Sequence, residues 1–162
     1  MLTFNADEIF EIAETIERNG AAFYRKAAEG VSDPKSRQVL LDLSAMELQH
    51  ERTFAAMRAG LSEDERAATV FDPDDQAGLY LQALADGKVF DFRADPSQRL
   101  TGKEKMGDIL RTAIGLEKDS IIFYLGMKSL VSRRAGQVKL DDIVREEMGH
   151  IATLSGQLIA AK

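Results

Sequence analysis

Apolar residues recur along this chain at alternating steps of three and four, the spacing that places them on one face of a helix. The first such stripe runs Phe10, Ala13, Glu17, Gly20, Tyr24, Ala27, Val31, behind Asn5 and Glu8 spaced as a capping box. A second begins at Asp33-Pro34, an N-cap followed by proline at the first helical position. It carries Leu40, Leu43, Glu47, His50, Phe54 and Met57, with Gly60 as the expected stop. A third helix is predicted from Thr101–Lys103, through Met106, Leu110, Ala113, Glu117, Ser120, Tyr124, Met127 and Val131. The fourth follows a turn at Ser132–Gly136 and carries Leu140, Ile143, Glu147, His150 and Leu154.

Few residues join the first helix to the second or the third to the fourth, so each pair is expected to be an antiparallel hairpin. Between the hairpins lies a long connection, residues 61–100. A strand-like piece falls at Lys88–Arg93, and a short helix is expected at Asp75–Ala85, packing through Leu79, Leu81 and Leu84. A connection of that length can cross from one end of a bundle to the other. The predicted fold is therefore all-α: one domain, 1–162, with a first hairpin 5–60, a crossover 61–100 and a second hairpin 101–162.

Sliding the chain against itself by 100 residues aligns the two hairpins without a gap. The identities include Ala13/Ala113, Glu17/Glu117, Phe23/Phe123, Tyr24/Tyr124, Glu47/Glu147 and His50/His150. Among them are the glutamates and histidines that sit inside the apolar stripes. Each half reads Glu and, thirty residues later, Glu-x-x-His. On a helix, i and i+3 share a face, so Glu47 and His50 can reach one ion, as can Glu147 and His150. The midpoint between Glu17 and Glu47 is Ser32, and that between Glu117 and Glu147 is Ser132. Each midpoint lies in a predicted turn. The chain therefore rises about 20 Å, turns, and descends as far. All six side chains should meet at one level of the bundle. Buried and unpaired, such groups would cost several kcal/mol each, a penalty that two divalent cations remove.

Carboxylate and imidazole ligands without thiolate suit two Fe or two Mn ions, with Zn as an adventitious occupant. The chain has no cysteine, which excludes thiolate zinc sites, iron–sulfur clusters and thiol nucleophiles. With 44% hydrophobic and 30% charged residues, the composition is that of a globular domain. A net charge of −6 argues against nucleic acid as a partner. No apolar run is long enough to cross a membrane, and the N-terminus lacks the pattern of a secretory signal. A cytoplasmic location is expected. Arg133-Arg134 reads as a solvated helix end, and Asp72, Asp74 and Asp75 as a loop leading into a helix.

The segments Glu17–Tyr24 with Glu47–His50, and Glu117–Tyr124 with Glu147–His150, resemble the rubrerythrin-like branch of the ferritin-like di-iron carboxylate superfamily. The resemblance covers both hairpins and implies the ferritin-like antiparallel four-helix bundle. It implies that Glu47 and Glu147 bridge two metals, that Glu17 and Glu117 are terminal ligands, and that His50 and His150 bind one metal each. Tyr24 and Tyr124 match tyrosines that hydrogen-bond around such sites. The implied activity is a peroxidase of oxidative stress, an oxidoreductase reducing hydrogen peroxide or O2, with ferroxidase iron handling or a non-catalytic metal-binding bundle as alternatives. A homodimer is the implied assembly.

Two departures accompany the resemblance. The chain lacks the four-cysteine rubredoxin-type module, so an external electron donor such as a rubredoxin is expected. The extra glutamate that rubrerythrins use when their metals shift is replaced by Ser120, whose counterpart is Gly20. The symmetric six-ligand set is thereby closer to ferritin-type sites. Glu14 and Glu51 stand near enough in sequence to be alternative ligands.

Overall fold

The first helix starts where its backbone donors find local acceptors. Asn5 Oδ1 accepts from Glu8 N at 2.9 Å and Glu8 Oε2 accepts from Asn5 N at 2.9 Å, closing the capping box at the head of α1 (Ala6–Gly30). Asp33 caps α2 (Pro34–Ala59) through Ser36 N at 2.8 Å. Gly60 ends α2 as expected, although in a right-handed conformation. A short α3 (Glu63–Ala67) follows, a helix absent from the sequence-based expectation. Two further long helices are α4 (Met106–Lys128) and α5 (Arg134–Ala160). The structure, a computed structural model, describes residues 5–67, 79–80, 83, 93–128 and 134–160.

Two predicted boundaries shift. Helix α4 begins at Met106 rather than at Thr101–Lys103. The Glu104 carboxylate accepts from Thr101 N at 2.6 Å and Gly102 N at 3.0 Å, tying those residues into a turn. Gly102 sits there at φ 80°, a left-handed conformation that favours glycine. Four backbone and side-chain donors on one exposed carboxylate hold Glu104 down to a pKa of about 2. Of the turn expected at Ser132–Gly136, Arg134 to Gly136 are helical, while Val131 and Ser132 lie outside the described residues.

In the crossover, Leu79, Tyr80 and Ala83 are helical, in line with the short helix expected there, but Leu79 is exposed and does not pack. Leu81, Leu84, residues 88–92 of the strand-like piece, the acidic Asp72, Asp74 and Asp75, and Arg133 lie outside the described residues. Arg93 is in a turn. A 3₁₀ helix, Pro96–Arg99, packs on α1.

The long helices form a four-membered ring of neighbours, in which α1 packs on α2 and α4, and α5 on α4 and α2. Side-chain pairs give the directions. Arg18 meets Glu51 and Arg58 meets Asp7, so α1 and α2 are antiparallel. Tyr24 meets Glu117 while Tyr124 meets Glu17, so α1 and α4 are antiparallel. His50 meets Glu147 while His150 meets Glu47, and α2 and α5 are antiparallel as well. With α2 and α4 thus parallel, the crossover must travel the length of the bundle. It does: a Cβ placed on Gly30, at the end of α1, would come within 3.4 Å of Gly102. The fold is the all-α, ferritin-like bundle of two hairpins and a crossover.

Two apolar clusters fill the interior. One gathers Phe10, Phe54, Phe123, Met127 and Leu140; the other gathers Phe23, Leu40, Leu110, Ala113 and Leu154. A polar layer lies between them. Among the described residues, no helix is long and apolar enough to cross a membrane.

Candidate metal centre

That layer contains Glu17, Glu47, His50, Glu117, Glu147 and His150, each no more than 5% exposed. All six occupy the inward stripe of their helix, where an apolar side chain would otherwise pack. The structure brings every one of them together. Ligand-type atoms of Glu17, Glu47, His50 and Glu147 lie within 4.8 Å of one another, and so do those of Glu47, Glu117, Glu147 and His150. Glu47 and Glu147 belong to both sets. The two sets are related by the 100-residue repeat, each drawing one carboxylate from its own α1 or α4 and sharing the pair from α2 and α5.

Both imidazoles turn Nδ1 toward the carboxylates. His50 Nδ1 stands 3.0 Å from Glu147 Oε1 and 3.5 Å from Glu17 Oε2. His150 Nδ1 stands 3.1 Å from Glu47 Oε1, 3.1 Å from Glu147 Oε2 and 3.4 Å from Glu117 Oε2. The rings stack with centroids 5.7 Å apart. The tyrosines act across the hairpins: the Tyr124 hydroxyl donates to Glu17 Oε1, and the Tyr24 hydroxyl donates to Glu117 Oε1. Glu17 and Glu117 thus each have one oxygen fixed by the opposite hairpin and the other turned toward a histidine.

Eight buried side-chain N or O atoms among the described residues lack a hydrogen-bond partner, and seven of them belong to Glu17, Glu47, His50, Glu147 and His150. Native interiors pair such atoms almost without exception. Orphaned oxygens and imidazole nitrogens converging on two shared carboxylates fit a binuclear metal site, and the donor set suits iron or manganese.

The electrostatics carry the same signature. Burial, with repulsion from Glu147 and Glu117, lifts Glu17 to about 8. Burial and the adjacent Glu147 lift Glu117 to about 8, and burial with the charge of Glu17 raises Glu47 well above the carboxylate range. Burial opposes charge on Glu147 too, but the close Glu117 carboxyl and both histidines outweigh it and lower its pKa. Burial likewise disfavours charged imidazoles. The surrounding carboxylates override it, taking His50 to about 9 and His150 to about 12. The metal-free cluster therefore holds protons where cations would sit, and loading must release them.

Glu14 and Glu51 do not join the centre. Glu51 pairs with Arg18 at 2.7 Å on the outside of the first hairpin. Glu14 lies one turn toward Arg58, whose Nη1 is 3.6 Å away. One close neighbour of the cluster was not expected from the sequence. Glu146 Oε2 lies 2.9 Å from His50 Nε2. Its counterpart in the repeat is Met46, so a search for matched polar residues passes over it.

Four antiparallel helices around a layer of four glutamates and two histidines make this a ferritin-like carboxylate bundle in architecture. A crystal structure from Thermotoga maritima, provisionally described as a ferritin-like diiron-carboxylate protein, superposes on the whole chain with a TM-score of 0.75. The two are 21% identical, and the match covers 100% of this chain and 99% of that one. No protein-family model matches the sequence, and no curated protein is detectably similar to it.

Proposed function

We propose that this chain is a di-iron carboxylate oxidoreductase that reduces hydrogen peroxide, or O2, with electrons from a separate donor. The observation that carries the reading is the meeting of two ligand sets at Glu47 and Glu147, an arrangement that would hold two cations side by side. Glu17 and His50 would complete one position, Glu117 and His150 the other. A pair of reduced irons held there would supply two electrons together to an O–O bond. The balance is one H2O2, two electrons and two protons giving two water molecules.

The chain's own residues provide the setting. The hydroxyls of Tyr24 and Tyr124 hold the terminal carboxylates in place. A cavity of about 50 Å³ reaches Glu47 and Glu117 from the α1–α4 side, lined by Asn19, Gly20, Tyr24 and Ser120 and roofed by Ala94 and Pro96. A water molecule needs roughly 10–15 Å³ of such space, so the cavity takes a few atoms and excludes extended organic molecules. Gly20 and the small Ser120 leave this room, and Ser120 stands where rubrerythrins carry a further glutamate. That same departure favours a second reading, in which Fe(II) is itself the substrate and is oxidised and passed onward.

Anaerobic protein loaded with two Fe(II) equivalents and mixed with peroxide tests the proposal by its optical spectrum. The expected result is oxidation of both irons per peroxide, faster than Fe(II) with metal-free Glu47→Ala protein. Equal rates would sink the peroxidase reading. Many turnovers of Fe(II) oxidation, with iron retained as mineral, would give the iron-handling reading instead. Uptake of iron or manganese unchanged by Glu47→Ala and His50→Ala would show that the ligands are elsewhere.

A further inference from the structure

The six buried residues obey the internal repeat, whereas the groups behind the two histidines break it. Each imidazole directs Nδ1 at the carboxylates, which leaves Nε2 facing away. Nε2 of His50 meets Glu146 Oε2 at 2.9 Å, across the α2–α5 interface. Nε2 of His150 is buried and has no hydrogen-bond partner among the described residues.

Because α2 and α5 are antiparallel and related by the repeat, position 46 stands to His150 as Glu146 stands to His50. Position 46 is methionine, whose thioether is only a weak acceptor. Met46, Glu146 and His150 line one cavity of about 360 Å³ between α2 and α5, so a carboxylate at position 46 has space to reach the bare nitrogen.

An imidazole that ligates through Nδ1 must carry its proton on Nε2. A carboxylate accepting that proton fixes the tautomer and the ring orientation and makes Nδ1 a better donor to a cation. His50 has this support and His150 does not. We infer that Glu146 is a positioning residue for His50 alone, and that the two metal positions are inequivalent. The position of Glu17, Glu47, His50 and Glu147 is the tighter one. The position of Glu47, Glu117, Glu147 and His150 is the weaker and empties first. The inference rests on the binuclear reading proposed above.

Groups placed behind a metal-bound histidine typically change metal affinity about 10- to 100-fold. The Glu146 side chain is 54% exposed, and solvent screening puts the expected effect near the lower end, roughly 10-fold. The test is a titration of the metal-free full chain with Co(II), a probe that stays divalent, followed by absorption and by proton NMR.

Wild type should fill in two steps. Glu146→Gln should weaken the tighter step about 10-fold, leave the other unmoved, and speed solvent exchange of one imidazole N–H resonance. Met46→Glu should tighten the weaker step by a similar factor and slow exchange of the second N–H. Circular dichroism confirms that both variants keep the helical fold. Unchanged steps and unchanged exchange in both variants, or equal weakening of both steps by Glu146→Gln, would overturn the inference while leaving the binuclear reading intact. Failure of wild type to take two equivalents would overturn both.

Discussion

The first hairpin is laced together by ion pairs across its helices, Arg18 with Glu51 and Arg58 with Asp7, Glu11 and Glu14. The second has one such described pair near its turn, Lys128 with Asp141, and exposes Ile122, Leu125, Val138, Met148 and Ile159. Yet their inward stripes superimpose residue for residue at the polar layer. Surface pairs of this kind contribute little and can diverge freely. Six groups that must converge within a few ångströms cannot. At the polar layer the two halves agree because geometry demands it. At Glu146 and Met46, one shell outward, agreement has already lapsed.

The largest expected effect separates shared residues from unshared ones. Glu147→Ala or Glu47→Ala should abolish uptake of both metal equivalents, since each carboxylate serves both ligand sets. Glu17→Ala or Glu117→Ala should remove one. Metal analysis after desalting distinguishes these outcomes, and equal loss from all four would break the picture of two joined sites.

Next in size is the response of the metal-free protein to pH. Glu17 titrates near 8 when folded against 4.5 ordinarily, and His50 near 9 against 6.5. Between those values the folded chain keeps protons that the unfolded chain has released. The unfolded state binds fewer protons there, so stability falls as pH rises from about 5 to 9. Glu147 acts in the opposite sense, but below pH 4.5. Thermal melts should therefore shift downward across that window without metal, and the slope should flatten once cations replace the protons. A rising trend in the metal-free protein would contradict the buried cluster.

The tyrosines test the exchange between hairpins. Tyr24→Phe and Tyr124→Phe each remove one hydrogen bond to a buried carboxylate from the other hairpin. Each should cost about 1–3 kcal/mol in denaturant unfolding, and the two losses should be similar. A large inequality would extend the asymmetry of the histidines to the terminal ligands.

The smallest effect concerns two helical glycines. Gly149 has open space where a methyl group would project, so Gly149→Ala should gain up to about 1 kcal/mol from helix propensity alone. At Gly20 the added methyl would touch Glu47 Cγ and Oε2 at 3.4 Å. Gly20→Ala should gain less, and it should narrow the small cavity beside Glu47.

Much of this is legible in the chain. The stripes of the first hairpin, the Asn5 and Asp33 caps and the first turn follow from local chemistry, and the structure places them where that chemistry puts them. The start of α4 differs because Glu104 folds back on Thr101 and Gly102, a turn that hydrophobic spacing does not register. Leu79 does not pack as expected because an apolar residue in a short helix need not face the core. Glu14 and Glu51 have the spacing of ligands, but Arg58 and Arg18 stand beside them.

The sequence by itself determined which six residues meet, because a fixed rise per residue converts equal spacing about two turns into equal height. Only the tertiary structure decided what stands behind them: which tyrosine crosses to which glutamate, that Glu146 reaches His50, and that His150 is left bare. Those contacts join residues some ninety or more positions apart. They depend on how helices face one another across the bundle, and no local spacing encodes that.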